Sequence, residues 1–158
     1  MQGSVTLHVA APPERVWALV SDITNTGTFS PETFEAEWLD GATGPAVGAR
    51  FRGHVRRNGS RLLVYWTTCT VSACEPGREF TFQVDLVGRA KAVEWSYRFE
   101  PDDGGTSVTE SFRLLGWFGS RLYAAVLGSA RTRTNLRNMQ VTLERIKVLA
   151  ESRPAASG

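Results

Sequence analysis

Trp95-Ser96-Tyr97-Arg98-Phe99-Glu100, then Pro101-Asp102-Asp103-Gly104-Gly105, then Val108-Thr109-Glu110-Ser111-Phe112-Arg113-Leu114: this stretch decides the fold. In its first part, large apolar side chains alternate with polar ones. That period of two marks a strand with one buried face. The middle is a run of turn formers. The last part alternates again, with Val108, Glu110, Phe112 and Leu114 on one row and Thr109, Ser111 and Arg113 on the other. Strands joined by so short a turn pair antiparallel.

Upstream the pattern repeats. Phe80, Phe82 and Val84 form an inward row, and Gly88 marks a break after it. Glu75-Pro76-Gly77 turns the chain back to a strand whose more apolar side carries Tyr65, Thr67, Cys69, Val71 and Ala73. Asn58-Gly59 is a strong hairpin signal. Before it, Phe51, Gly53 and Val55 alternate with Arg50, Arg52, His54 and Arg56. Phe34, Ala36 and Trp38 alternate with Glu35 and Glu37. The chain opens on a strand through Val5, Leu7 and Val9. A helix starts at Ala11-Pro12-Pro13-Glu14 and carries Val16, Leu19, Val20 and Ile23 on one face. Phe29-Ser30-Pro31-Glu32 reads as a loop or short helical turn.

Downstream of Gly116-Trp117-Phe118-Gly119 the period changes. Leu136, Met139, Leu143, Ile146 and Ala150 recur every three or four residues, which predicts a long amphipathic helix from about Ser120 to Glu151. Ser120 is the expected cap and Gly128 the expected irregularity. The reading is an α+β domain over residues 1–153, with six or seven antiparallel strands wrapped on the C-terminal helix, two short helices after the first strand, and a flexible tail over 154–158. One helix cannot fill the concave side of a curved sheet, so a cavity is expected, with a small hydrophobic molecule as its partner.

The bulk properties remove other classes. The chain has 158 residues and a formal net charge of +2. Its arginines are scattered, so no stripe for nucleic acid forms. No apolar run is long enough for a transmembrane segment. The N-terminus lacks a basic start followed by an apolar stretch, so no signal peptide is expected and the cytoplasm is the expected location. On one extended strand Cys69 and Cys74 stand roughly 16 Å apart, too far for a disulfide. His8 and His54 fall in no ligand spacing, so no metal site is expected. No Gly-rich phosphate loop is present, and no cofactor is expected. Ser30 lacks the surroundings of a catalytic serine.

Several segments together resemble the START-like superfamily, and within it the bacterial SRPBCC proteins labelled polyketide cyclase/dehydrase. They are Ala11-Pro12-Pro13-Glu14-Arg15-Val16-Trp17, Ser30-Pro31-Glu32 with Glu37-Trp38, Gly48-Ala49-Arg50-Phe51, Cys74 to Phe80, Gly105 to Glu110, and Met139 to Lys147. The resemblance covers nearly the whole chain and implies a helix-grip fold. For function it implies a choice among aromatic polyketide cyclisation, lipid carriage, hormone reception and chaperone activation, which the fold alone does not make.

The candidate ligand-binding residues are Phe29, Phe51, Tyr65, Trp95, Tyr97, Glu110, Phe112, Asn135 and Met139. Each aromatic is either cavity wall or plain core. Glu110 is the most informative. Beside Val108 and Phe112 it is a desolvated carboxyl with a raised pKa; with the register off by one it points outward, or it pairs with an arginine such as Arg131. Asn135 either hydrogen-bonds a ligand or faces solvent. Arg50, Arg52, Arg56 and His54 form an anion site or a solvated convex face. Trp66 faces solvent, a subunit contact or, through a bulge, the cavity, and a homodimer is compatible with the second. Trp117 and Phe118 form a lid or pack under the helix. Binding of a hydrophobic ligand leads. A polyketide cyclase or dehydratase, with Glu110 and Tyr97 as catalytic residues, is the alternative. A protein-interaction module is the third class.

Overall fold

The computed structural model describes residues 1–57, 63–85, 91–116 and 118–152, with 118–128 described in backbone alone. The expected Asn58-Gly59 turn, the Gly88 break, the Trp117–Phe118 lid side chains and the 154–158 tail lie outside the described residues. In chain order the elements are β1 (Gln2–Val9), α1 (Pro13–Ser21), a 3-10 turn (Ile23–Asn25), α2 (Thr26–Phe29), β2 (Thr33–Trp38), β3 (Arg50–Arg56), β4 (Val64–Glu75), β5 (Glu79–Asp85), β6 (Lys91–Asp102), β7 (Gly105–Leu114) and α3 (Phe118–Ser152).

The seven strands form one antiparallel sheet in the order β1-β7-β6-β5-β4-β3-β2. The expected hairpin register holds: Trp95 faces Phe112, Tyr97 faces Glu110, and Asp102 faces Gly105. Two residues make the turn, Asp103 at φ 44° and Gly104 at φ 78°. Positive φ at both central positions is what a type I′ hairpin requires, and Asp-Gly supplies it cheaply. On β7 the buried row is Thr106, Val108, Glu110 and Phe112.

Strand β2 departs from the expectation. Its pairing with β3 shifts between Thr33 and Glu35. The extra residue, Phe34, turns outward: its ring lies 4.3 Å from His54 and the Arg56 guanidinium sits 5.0 Å above it. Ala36 and Trp38 keep the inner side, with Trp38 edge-on to Phe51 at 5.8 Å. A bulge of this kind flips faces and is invisible to a period-two count. Helix α3 differs at its start. It begins at Phe118, so Ser120 stands inside the first turn and is not the cap, and the helix is one element unbroken at Gly128.

Leu143, Ile146 and Ala150 of α3 join Val9, Val16, Val20, Phe99 and Val108 in the core. At the other end of the domain α2 is pressed onto β2. A Cβ on Gly27 would stand 2.2 Å from the Phe34 carbonyl oxygen. The Gly27→Ala variant should therefore lose stability by about 1–3 kcal/mol in urea unfolding, because the clash is with backbone that cannot rotate away. An unchanged midpoint would contradict this close approach.

Candidate functional site

Helix α3 packs chiefly on β1 and more lightly on β7; α1 covers parts of β5, β6 and β7; α2 and the 3-10 turn lie on β2. The inner face of the middle strands is left without a helix of its own. A cavity of about 880 Å³ occupies that space. Phe51, Phe80, Phe82 and Trp95 from β3, β5 and β6 form its apolar wall, and Arg131, Asn135, Asn138, Met139 and Thr142 face it from α3.

Glu110 is the polar pole of this cavity. Its side chain lines the space, and only 4% of the residue is exposed. The Tyr97 hydroxyl, its neighbour across the β6–β7 register, donates to Glu110 Oε1 at 2.9 Å. Glu110 Oε2 is buried and has no hydrogen-bond partner among the described residues. Burial pushes the Glu110 pKa up to about 8, and the Tyr97 hydrogen bond pulls it only partly back. Loss of water disfavours the charged carboxylate, and apolar walls offer no substitute. At neutral pH Glu110 therefore holds its proton. With Oε1 accepting from Tyr97, Oε2 is left to present an O–H. The Tyr97 hydroxyl is itself held well above its ordinary pKa, by burial first and then by Glu110.

Arg131 is not the partner of Glu110. It makes a two-pronged pair with Glu32, Nη1 to Oε1 at 3.2 Å and Nη2 to Oε2 at 3.0 Å. The pair ties α3 to the segment after α2, and both residues line the cavity. Ser30 shapes that segment, its Oγ accepting from the amides of Glu32 and Thr33. A second polar group lies at the ends of β5 and β6, where Lys91 binds Asp85 and Thr70. Beside it, burial pushes the Cys69 thiol up to about 12, so it is no nucleophile. Both cysteines are free. Among the described residues no group of His, Cys, Asp and Glu could hold a metal ion, and no helix is long and apolar enough to cross a membrane.

The structure brings Phe29, Phe51, Tyr65, Trp95, Tyr97, Glu110, Asn135 and Met139 around one space. Tyr65 is at its rim, 40% exposed. Phe112 is a correction: it is buried but does not line the cavity. It lies under the helix, where a Cβ on Gly3 would meet its ring at 2.9 Å and Leu136 at 3.0 Å. Sharing a sheet face with Glu110 was not enough, since α3 covers β7 at that point. In the β3 row Arg50 pairs with Asp40, Arg52 with Glu37, and His54 with Glu35. Sequence reasoning passed over Asn138 and Thr142. Arg131, Asn135, Asn138 and Thr142 recur every three or four residues, and that polar stripe beside an apolar one was the available signal.

Residues 2–144 match the family model described as polyketide cyclase/dehydrase and lipid transport. No curated protein matches the sequence. Among solved structures, the chain is similar to the Polyketide_cyc-like protein Cgl2372 from Corynebacterium glutamicum, at 29% identity and a TM-score of 0.58, covering 94% of this chain and 90% of that one. It is also similar to protein CV1439 from Chromobacterium violaceum, at 15% identity and a TM-score of 0.71, covering 96% and 98%. The di-domain ARO/CYC BexL from the BE-7585A biosynthetic pathway shares the fold at 16% identity and a TM-score of 0.64, over 91% of this chain and 46% of BexL.

The raised pKa has a measurable consequence. In the unfolded chain Glu110 ionises near the ordinary value of about 4.3, whereas in the folded protein it keeps its proton to about 8. The folded state thus binds the extra proton between these values. Stability contributed by the neutral carboxyl is present in full below that window and is lost as pH rises through it. Urea midpoints of the wild type should fall across the window relative to those of Glu110→Gln. Parallel profiles for the two proteins would contradict the neutral, buried carboxyl.

Proposed function

The chain belongs to the polyketide cyclase/dehydrase and lipid transport family, and we propose that it binds one small, largely apolar molecule of lipid, polyketide or isoprenoid type in the cavity between sheet and helix. The observation that carries this reading is Glu110 Oε2, buried at the cavity wall with no hydrogen-bond partner among the described residues. A buried polar atom without a partner costs about 1–3 kcal/mol, and a ligand oxygen that accepts its O–H removes that cost. The aromatic wall supplies affinity by burial, and the carboxyl fixes which end of the ligand goes in first. Asn135 is buried and lines the same cavity from α3, so it is the second anchor.

The same carboxyl favours a second reading, a cyclase or dehydratase. A group with a pKa of about 8 both gives and takes protons near neutral pH, which suits general acid–base work. In that reading Glu110 moves the proton. Tyr97 has already given its O–H to Glu110 Oε1, so it positions the carboxyl and does not polarise the substrate itself. A protein-interaction module would need no cavity with converging polar groups, and the cavity speaks for the two ligand-based readings.

Two measurements test this. An apolar fluorescent probe should bind the wild type, and Met139→Trp should abolish that binding while the protein stays folded. Unchanged affinity in folded Met139→Trp would remove the cavity from the account. Glu110→Gln then separates the readings. For a carrier, affinity changes modestly, and the weakening expected for the wild type as pH rises through about 8 disappears. For an enzyme, turnover falls by roughly a hundredfold or more with binding retained.

A further inference from the structure

The described end of the β3–β4 hairpin departs from the pattern of one buried apolar face. Leu63, Val64, Tyr65 and Trp66 are four successive large apolar residues, and all four are exposed, Leu63 by 53% and Trp66 by 42%. Along a strand successive side chains point to opposite faces, so the apolar surface here is on both sides of the hairpin. A half-buried strand needs only one apolar face. The position is also particular: Tyr65 and Trp66 belong to the cavity rim, so the apolar end adjoins the opening.

Basic groups flank it. Arg56 pairs with Val64 across the hairpin, and the Arg57 amide donates to the Leu63 carbonyl at 3.0 Å. Among the described residues no carboxylate pairs with Arg56, whose guanidinium lies over the Phe34 ring. The nearby acids are engaged, Glu35 by His54 and Glu37 by Arg52. Arg52 also sits 4.4 Å above the exposed Trp66 ring.

We propose that this hairpin end docks the cavity mouth on an anionic lipid surface. Such a surface answers each feature. Leucine and valine enter the apolar layer, tyrosine and tryptophan settle at the level of the headgroups, and arginine meets lipid phosphate. Docking there would let an apolar molecule pass between lipid and cavity without crossing water. That purpose rests on the proposed function, whereas the docking itself does not.

The experiment is co-sedimentation with vesicles of phosphatidylcholine, with and without phosphatidylglycerol. The wild type should sediment with the mixed vesicles and much less with phosphatidylcholine alone, and salt should release it. The double variant Leu63→Asp, Val64→Asp should stay in the supernatant. Arg56→Glu should weaken binding to the mixed vesicles by about tenfold or more. None of these residues lines the cavity, so both variants should keep the wild-type affinity for the apolar probe measured without vesicles. A wild type that remains in the supernatant with mixed vesicles overturns the proposal, including when the same surface is then found to hold a protein. So does a double variant that sediments like the wild type. If the double variant does not fold, Arg56→Glu decides, and unchanged vesicle binding refutes. A wild type that binds vesicles but no probe leaves the docking standing and removes the cavity reading instead.

Discussion

Seven strands offer more inner face than one helix can cover, and the rest of the molecule is arranged around that mismatch. Helix α3 is committed to the β1–β7 side, where Leu143, Ile146 and Ala150 close a dry core with Val9, Val16 and Val108. Short helices take the β2 edge and the far ends of β5 and β6. What remains is space over the middle strands, too large for side chains alone to fill. Its walls carry full-sized aromatics, yet a cavity of about 880 Å³ remains. Close-packed interiors seldom leave such room, because every unfilled contact is lost dispersion energy. A cavity of this size therefore points to an occupant.

At the wall of this space the fold places a fully buried carboxyl, Glu110. The hydrogen bond from Tyr97 satisfies one oxygen of Glu110 and fixes the carboxyl in place. The other oxygen has no partner among the described residues. A fully paired carboxylate would be charged and structural, and an arginine at this point would have made it so. Arg131 is on the same helix face, but Glu32 holds it from both prongs. Burial, opposed only in part by the Tyr97 hydrogen bond, sets the protonation of Glu110.

Much of this was legible from alternation. The row Val108, Glu110, Phe112 was readable because β7 is regular, and its partner row on β6 because a two-residue Asp-Gly turn locks the register. Recognition of the family rested on turns and helix starts, which are local. Phe34 was misplaced because a bulge in β2 is a pairing property and has no signature in a single strand. Phe112 was misplaced for a different reason. Which inward residues meet the cavity and which meet α3 depends on how far the helix is shifted across the sheet, and no periodicity encodes that. Glu32 and Arg131 lie 99 positions apart, and nothing local in either segment names the other.

The measurement that bears most directly on the central claim is a carbon NMR titration of the glutamate side-chain carboxyls in the folded protein. The Glu110 resonance is identified by its absence from Glu110→Gln. A midpoint near 8 is expected, well above those of the exposed glutamates. A midpoint in the ordinary carboxylate range, near about 4.3, would mean that Glu110 is charged at neutral pH, and the account of the cavity as a neutral, hydrogen-bond-donating site would be wrong.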